Sequence, residues 1–172
     1  MNEKLMKGNK EFIDTINSNK EFKDLNESLI ANGQHPYALV ITCSDSRVIP
    51  ELIFNKTLGE IFVIRTAGNV INDGELGTIE YAIEHLKIKE IIVLAHTYCG
   101  AVHAAVHKES GKYINKILDK IKTNIGSETD EVKASILNAN KVKDYILKQF
   151  PGFDGKVISA IYDLKTNIVK KV

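Results

Sequence analysis

The sequence has few cysteines, almost no net charge and no long hydrophobic run. Lys+Arg 23 and Asp+Glu 22 leave a formal net charge of +1, which argues against the basic surface that binds nucleic acid or an anionic membrane. No apolar run approaches the roughly 18 residues of a membrane span, and the first residues lack an apolar core of signal-peptide length. We therefore expect a soluble cytoplasmic protein with no nucleic-acid or membrane partner. In a reduced cytosol, the two cysteines are expected to bind metal, act in catalysis or remain inert rather than form a disulfide.

The length and composition are those of one ordinary globular domain. The chain has 172 residues, 44% of them hydrophobic, and contains no internal repeat or low-complexity tract. We expect a single domain over residues 1–172, with an N-terminal helical arm over about residues 1–33.

Apolar runs of strand length alternate with helical patterns along the chain. The runs are rich in Val and Ile without clean alternation, as in parallel strands covered on both faces, and they span residues 37–42, 61–65, 91–95 and 157–162. Helical patterns occupy residues 21–30, 75–86, 113–122 and 130–149, and another begins near Cys99. This order predicts an α/β fold with a mostly parallel central β-sheet of about four strands and helices packed around it. Residues 166–172 are expected to add a short antiparallel edge strand.

Both cysteines and one histidine fall in two short segments that follow predicted strands. Cys43 follows the first strand, His96 follows the third, and Cys99 comes three residues later. If the first and third strands are neighbours, these side chains meet at the carboxyl edge of the sheet, where open α/β sheets bind ligands. Two thiolates and one imidazole form a zinc-binding set that is one protein ligand short of a closed structural site, and the open position can hold water. From spacing alone, a buried Cys43, a capping Cys99 and an unrelated His96 remain the alternative.

Asp45 and Arg47 occupy alternating positions just after Cys43. In an extended loop their side chains point the same way. Beside a metal, the arginine would keep the carboxylate ionised, and the carboxylate would accept a hydrogen bond from metal-bound water. The simpler alternative is a salt bridge that closes the turn after the strand.

These motifs resemble those of the β-class carbonic anhydrases. Cys-x-Asp-x-Arg follows one strand, Ala67-Gly68-Asn69 the next and His-x-x-Cys-Gly the third, and their order and spacing match over about residues 37–105. The segments Ile-Thr-Cys-Ser-Asp-Ser-Arg and Arg-Thr-Ala-Gly-Asn-Val are similar to the compact archaeal and bacterial branch. The resemblance implies one Zn²⁺ per subunit bound by Cys43, His96 and Cys99. It also implies Asp45 and Arg47 as the catalytic dyad, with Asp45 a metal ligand only in a closed state.

The resemblance further implies a zinc lyase, a carbonic anhydrase or carbonate dehydratase. The implied reaction is the reversible hydration of CO₂ to bicarbonate and a proton by zinc-bound hydroxide, which the Asp–Arg dyad orients. The implied assembly is a homodimer, with a higher homo-oligomer left open. Two alternatives remain: a carbonyl sulfide or carbon disulfide hydrolase on the same zinc scaffold, and a non-catalytic zinc-stabilised binding module.

Several nearby residues have no assigned role at this point. His103 and His107 form an i,i+4 pair after Cys99; such pairs bind metal or relay protons, although a surface pair without a role is the simpler interpretation. For Arg65 and Asn69, anchoring a loop is favoured over binding bicarbonate. Tyr98 stands where relatives often have Asp or Gly, and its ring is expected on the surface.

Overall fold

The structure, a computed structural model, describes residues 2–172. The chain divides into two compact units, one that ends at His35 and one that spans Pro36–Val172. No helix within residues 2–172 is both long and apolar enough to cross a membrane.

The N-terminal unit consists of two helices, α1 (Glu3–Ser18) and α2 (Lys20–Asn32). Each helix begins after an asparagine whose side-chain oxygen accepts a hydrogen bond from a backbone amide of the first turn: Asn2 from Lys4 N, and Asn19 from Phe22 N. These bonds pair amides that a helix start otherwise leaves without a partner. The helix predicted over residues 21–30 corresponds to α2.

The second unit alternates strands with helices. The strands are β1 (Ala38–Cys43), β2 (Ile61–Thr66), β3 (Glu90–His96), β4 (Lys156–Asp163) and β5 (Ile168–Lys171). The helices are α3 (Pro50–Ile53), α4 (Asp73–Glu84), α5 (Gly100–Val106), α6 (Asn115–Ile125) and α7 (Glu131–Gln149), and a 3-10 turn spans Ala67–Asn69. The one-turn helix α3, which starts at Pro50, has no counterpart among the predicted elements, because four residues are too few to show a helical period.

The five strands form one sheet in the order β2-β1-β3-β4-β5. The first four are parallel, and β5 pairs antiparallel with β4 at the edge. The predicted α/β fold, its mostly parallel sheet and its antiparallel C-terminal edge strand are therefore confirmed. Since β1 and β3 are neighbours, the strand order reverses between them, which is where open α/β sheets form their ligand crevice.

Both faces of the sheet are covered, which explains the continuous apolar runs. Every residue of β1 is buried. Leu39 and Ile41 join a core cluster with residues of α4 and α7, whereas Val40, between them in sequence, packs in a cluster on the opposite face. A third cluster gathers Cys43 and Cys99 with apolar residues of α5 and α6. The two cysteines thus lie against a packed core.

Candidate metal centre

Cys43 is the last residue of β1 and is only 6% exposed. The strand end that carries it is fixed to β3, because Thr42 Oγ1 donates a hydrogen bond of 2.7 Å to the Leu94 carbonyl oxygen. Arg65 fixes the segment after it: Nε donates to the Cys43 carbonyl at 3.2 Å, and Nη2 to the Asp45 carbonyl at 2.7 Å. Arg65 therefore anchors this loop, as favoured from the sequence.

His96 and Cys99 are brought together by a sharp turn after β3. His96 ends the strand and Cys99 directly precedes α5. Between them, Tyr98 adopts a left-handed backbone conformation with φ of 59°, which reverses the chain within three residues. Tyr98 is 51% exposed, and the Lys165 ammonium lies 5.5 Å from the centroid of its ring, so the residue lies at the surface.

The three donor atoms of Cys43, His96 and Cys99 converge in the core. Their donor atoms lie within 4.8 Å of one another, and the two sulfurs are 3.9 Å apart. His96 Nδ1 is 2.9 Å from the Thr97 carbonyl oxygen, which only accepts, so Nδ1 carries the proton and Nε2 keeps its lone pair. Within residues 2–172, this buried Nε2 has no hydrogen-bond partner.

The geometry fits a zinc ion. Two sulfurs, each about 2.3 Å from a tetrahedral zinc, are roughly 3.8 Å apart, close to the separation seen here. Both cysteines are free thiols, so their sulfurs remain available. A buried ring nitrogen without a partner is costly unless something binds it, and a cation between the sulfurs and Nε2 would remove that cost. The backbone carbonyl on Nδ1 is the partner that metal-binding histidines typically have.

The two thiols shift each other's pKa in opposite directions. A hydrogen bond from Cys99 lowers the pKa of Cys43, and the main-chain amide of Gly68, 3.3 Å from the Cys43 sulfur, adds to the effect. The same hydrogen bond to Cys43, together with burial, raises the pKa of Cys99. The same contact that favours the thiolate of Cys43 therefore disfavours that of Cys99. A divalent cation would hold both sulfurs as thiolates.

Asp45 and Arg47 form a bidentate pair beside the cluster. Arg47 Nε and Nη2 donate to the two carboxylate oxygens of Asp45 at 2.9 and 2.7 Å, and the Arg47 amide adds a third bond of 2.9 Å. These bonds hold the pKa of Asp45 well below its ordinary value. Arg47 Nη2 also donates to the Tyr98 carbonyl at 3.2 Å, which joins the loop after β1 to the turn after β3. Asp45 remains ionised and lies outside the group of three donors.

A chain of two hydrogen bonds that ends at the Gly68 carbonyl was not predicted from the sequence. Asn138 of α7, fully buried, donates to the Gly68 carbonyl at 2.8 Å, and Asn124 of α6 donates to Asn138 at 2.8 Å. The chain orients the turn whose Gly68 amide contacts Cys43. The sequence feature that could have indicated it is an asparagine among the apolar residues on the buried face of α7, which include Ala134, Ala139 and Val142.

Comparison with known proteins links the fold and the site to one family. A family model described as carbonic anhydrase matches residues 38–151. The chain is 43% identical over 97 residues to Carbonic anhydrase 2 of Mycobacterium tuberculosis (54% of this chain, 47% of that protein). It is 51% identical over 86 residues to a carbonic anhydrase of Synechococcus elongatus (46% of this chain, 31% of that protein). The chain thus spans less than half the length of these relatives.

Solved structures agree over nearly the whole chain. The β-carbonic anhydrase CafA of Aspergillus fumigatus superimposes with a TM-score of 0.81 at 27% identity, covering 98% of this chain and 88% of that one. The Coccomyxa β-carbonic anhydrase, solved in complex with acetazolamide, superimposes with a TM-score of 0.81 at 27% identity. The superposition covers 99% of this chain and 85% of that one.

Proposed function

This chain belongs to the β-class carbonic anhydrase family, and from that premise we propose that it catalyses the reversible hydration of CO₂ to bicarbonate and a proton. The observation that carries the proposal is His96: its buried Nε2 has no partner within residues 2–172, and its ring offers a nitrogen within 4.8 Å of both cysteine sulfurs. Three donors with no fourth among the described residues suit a catalytic metal site better than a structural one.

Cys43, His96 and Cys99 would hold one zinc ion per subunit. When bound, zinc lowers the pKa of a water ligand toward about 7 and so makes a nucleophile available near neutral pH. The chain's own contribution is to keep both sulfurs and Nε2 in place: the Gly68 amide supports the Cys43 sulfur, and the Thr97 carbonyl orients the His96 ring.

Asp45 is proposed to accept a hydrogen bond from the attacking oxygen and so to fix the direction of its lone pair. Arg47 is suited to support this role, because its bidentate contact keeps the carboxylate ionised and fixes its plane. By family resemblance, Asp45 is also proposed to become a fourth metal ligand in a closed state, which would require its bonds to Arg47 to break.

The proposed assembly is a cytoplasmic homodimer. Exposed apolar side chains on α1 of the N-terminal unit support the proposal of a dimer: Leu5 is 66% exposed and Phe12 is 51% exposed. Static light scattering on the purified chain tests the assembly; a mass near 19.2 kDa at micromolar concentration would contradict the dimer.

Stopped-flow CO₂ hydration, with zinc content measured on the same sample, tests the activity. We expect turnover near neutral to alkaline pH in proportion to zinc content. Asp45→Ala should keep its zinc and lose most of its turnover, whereas Asp154→Ala, which removes an exposed aspartate paired with Lys89, should match the wild type.

Three outcomes would contradict parts of the proposal. Full activity in Asp45→Ala removes the assigned role of that carboxylate. Sulfide release from carbonyl sulfide or carbon disulfide without CO₂ hydration assigns the scaffold to the other substrates. Zinc-loaded protein inactive toward all three substrates indicates a non-catalytic module.

A further inference from the structure

A second group of side chains of the types that ligate metals lies apart from Cys43, where α5 packs against α7. His103 and His107 follow each other by one helical turn, and Glu131 is the first residue of α7. One donor atom of each residue lies within 4.8 Å of the others. The sequence suggested only the histidine pair; the packing of the two helices adds the carboxylate.

Two separations within this group bracket the spacing expected around a small metal ion. Glu131 Oε1 is 2.7 Å from His103 Nδ1 and 3.4 Å from His107 Nε2, and the two ring centroids are 4.2 Å apart. Ligand atoms about 2.0–2.1 Å from a tetrahedral ion are roughly 3.3 Å from one another. A small shift of the carboxylate would therefore bring its oxygen to this spacing from both ring nitrogens.

The backbone that carries the Glu131 carboxylate is held in place by hydrogen bonds of its own helix. Asp130 Oδ1 accepts from the amides of Val132 and Lys133 at 3.0 and 2.9 Å, which fixes the start of α7, and Ser135 Oγ donates to the Glu131 carbonyl at 2.8 Å. Hydrogen bonding to His103, and then to His107, lowers the pKa of Glu131. Glu131 therefore offers an ionised oxygen at neutral pH.

The group is open to solvent. The side chains of His103, His107 and Glu131 are 51%, 55% and 35% exposed, so a hydrated cation can reach them. The same exposure makes their mutual ion pairing worth little to stability. Fold stability alone therefore gives no strong reason for two imidazoles to converge on one carboxylate oxygen.

We propose that His103, His107 and Glu131 form a second, solvent-accessible site for a divalent transition-metal ion of the class that prefers imidazole, Zn²⁺, Ni²⁺ or Cu²⁺. Solvent completes the coordination. Occupation of the site ties the C-terminal end of α5 to the first turn of α7. This site is separate from the proposed catalytic metal and does not depend on the activity assigned to it.

Calorimetric titration of the zinc-loaded protein with Ni²⁺ tests the proposal. We expect one Ni²⁺ per chain beyond the zinc already present, with metal analysis showing that the zinc is retained. Because Ni²⁺ binds the folded chain, the Tm should rise by a few degrees at saturation. Paramagnetic broadening of amide NMR signals should be confined to the end of α5 and the start of α7.

Matched variants separate this site from nonspecific surface binding. His103→Ala and His107→Gln should each weaken Ni²⁺ binding by at least about tenfold, and Glu131→Gln by about as much. His85→Gln removes another exposed histidine, at the end of α4, and should bind Ni²⁺ like the wild type. Circular dichroism on every variant checks that the fold is retained.

Two results would overturn the proposal. One is the absence of Ni²⁺ binding to the zinc-loaded wild type; if turnover at low buffer concentration also drops in His103→Ala, the cluster is a proton relay instead of a metal site. The other is Ni²⁺ binding that persists unchanged in both histidine variants.

Discussion

Two groups of three donors lie in the second unit of this chain, and they differ chiefly in burial. Cys43, His96 and Cys99 are 6%, 1% and 3% exposed, whereas the side chains of His103 and His107 are about half exposed. In the buried group an unpaired polar atom is costly, so a cation would stabilise the two sulfurs and the unpaired ring nitrogen. In the exposed group water serves each donor almost as well. We therefore expect a metal ion to matter more to the buried group than to the exposed one.

The largest expected effect comes from removing a donor of the buried group. Cys43→Ser and His96→Ala should each lose the zinc on dialysis and lose CO₂ hydration by at least about a thousandfold, because two remaining donors do not hold zinc in competition with water. Zinc content and stopped-flow rates check this. His103→Ala, which removes a donor of the exposed group, should keep both zinc and turnover; if it lost zinc as well, the two groups would not be independent.

Gly68→Ala should be the next most damaging change. Gly68 has φ of 62°, and a Cβ there would lie 2.7 Å from Ile121 Cδ1 and 3.1 Å from Ala101 Cβ, in a buried cluster. We expect a loss of about 3 kcal/mol in the free energy of unfolding, measured with urea, and weaker zinc binding as the amide leaves the Cys43 sulfur. Gly77→Ala, in α4, meets no atom within 4 Å and should be neutral or slightly stabilising. Equal effects would contradict the close packing assigned to Gly68.

Asn138→Ala tests whether the buried group depends on support from α7. It removes the donor to the Gly68 carbonyl and should lower the free energy of unfolding by about 2 kcal/mol. Zinc affinity should fall in the same variant, because the Gly68 turn is no longer held. Asn124→Ala removes only the outer bond of the chain and should cost about 1 kcal/mol with zinc affinity unchanged. An unaltered zinc affinity in Asn138→Ala would show that the Gly68 turn keeps its conformation without the hydrogen bond from Asn138.

The smallest expected effect is the contribution of Glu131 to stability without added metal. Its folded-state pKa lies below the ordinary value of 4.5, so its stabilising contribution is present above pH 4.5 and is lost as the pH falls through the lowered folded-state value. Glu131→Gln should therefore cost a few tenths of a kcal/mol at neutral pH, and the difference from the wild type should shrink below pH 4.5. Urea unfolding at pH 7 and pH 4 measures this. A difference that grows at low pH would reverse the assigned direction.

The sequence predicted the sheet and the donor set because both leave local signals. Valine- and isoleucine-rich runs indicate the four parallel strands, and Cys43, His96 and Cys99 each stand directly after or near the end of such a run. Asn138 left no comparable signal, because its partner Gly68 is 70 residues away and the contact depends on how α7 packs. Glu131 likewise meets His103 across 28 residues, through the same packing. Helix faces can be predicted from periodicity, but not the partner that each face meets.

The parallel pairing of β1 with β3 also determines the stage of folding at which the three donors could bind a metal. Thr42 and Leu94, opposite each other in that pairing, are 52 residues apart, so the pairing closes a long loop and is a slow, non-local event in folding. Side chains alternate along a strand, and a slip of one residue would turn Cys43 away from His96. The three donors come together only after β1 and β3 have paired in the correct register. We therefore expect a zinc ion bound by these donors to leave the folding rate unchanged and to slow unfolding, so that it adds kinetic stability without nucleating the fold.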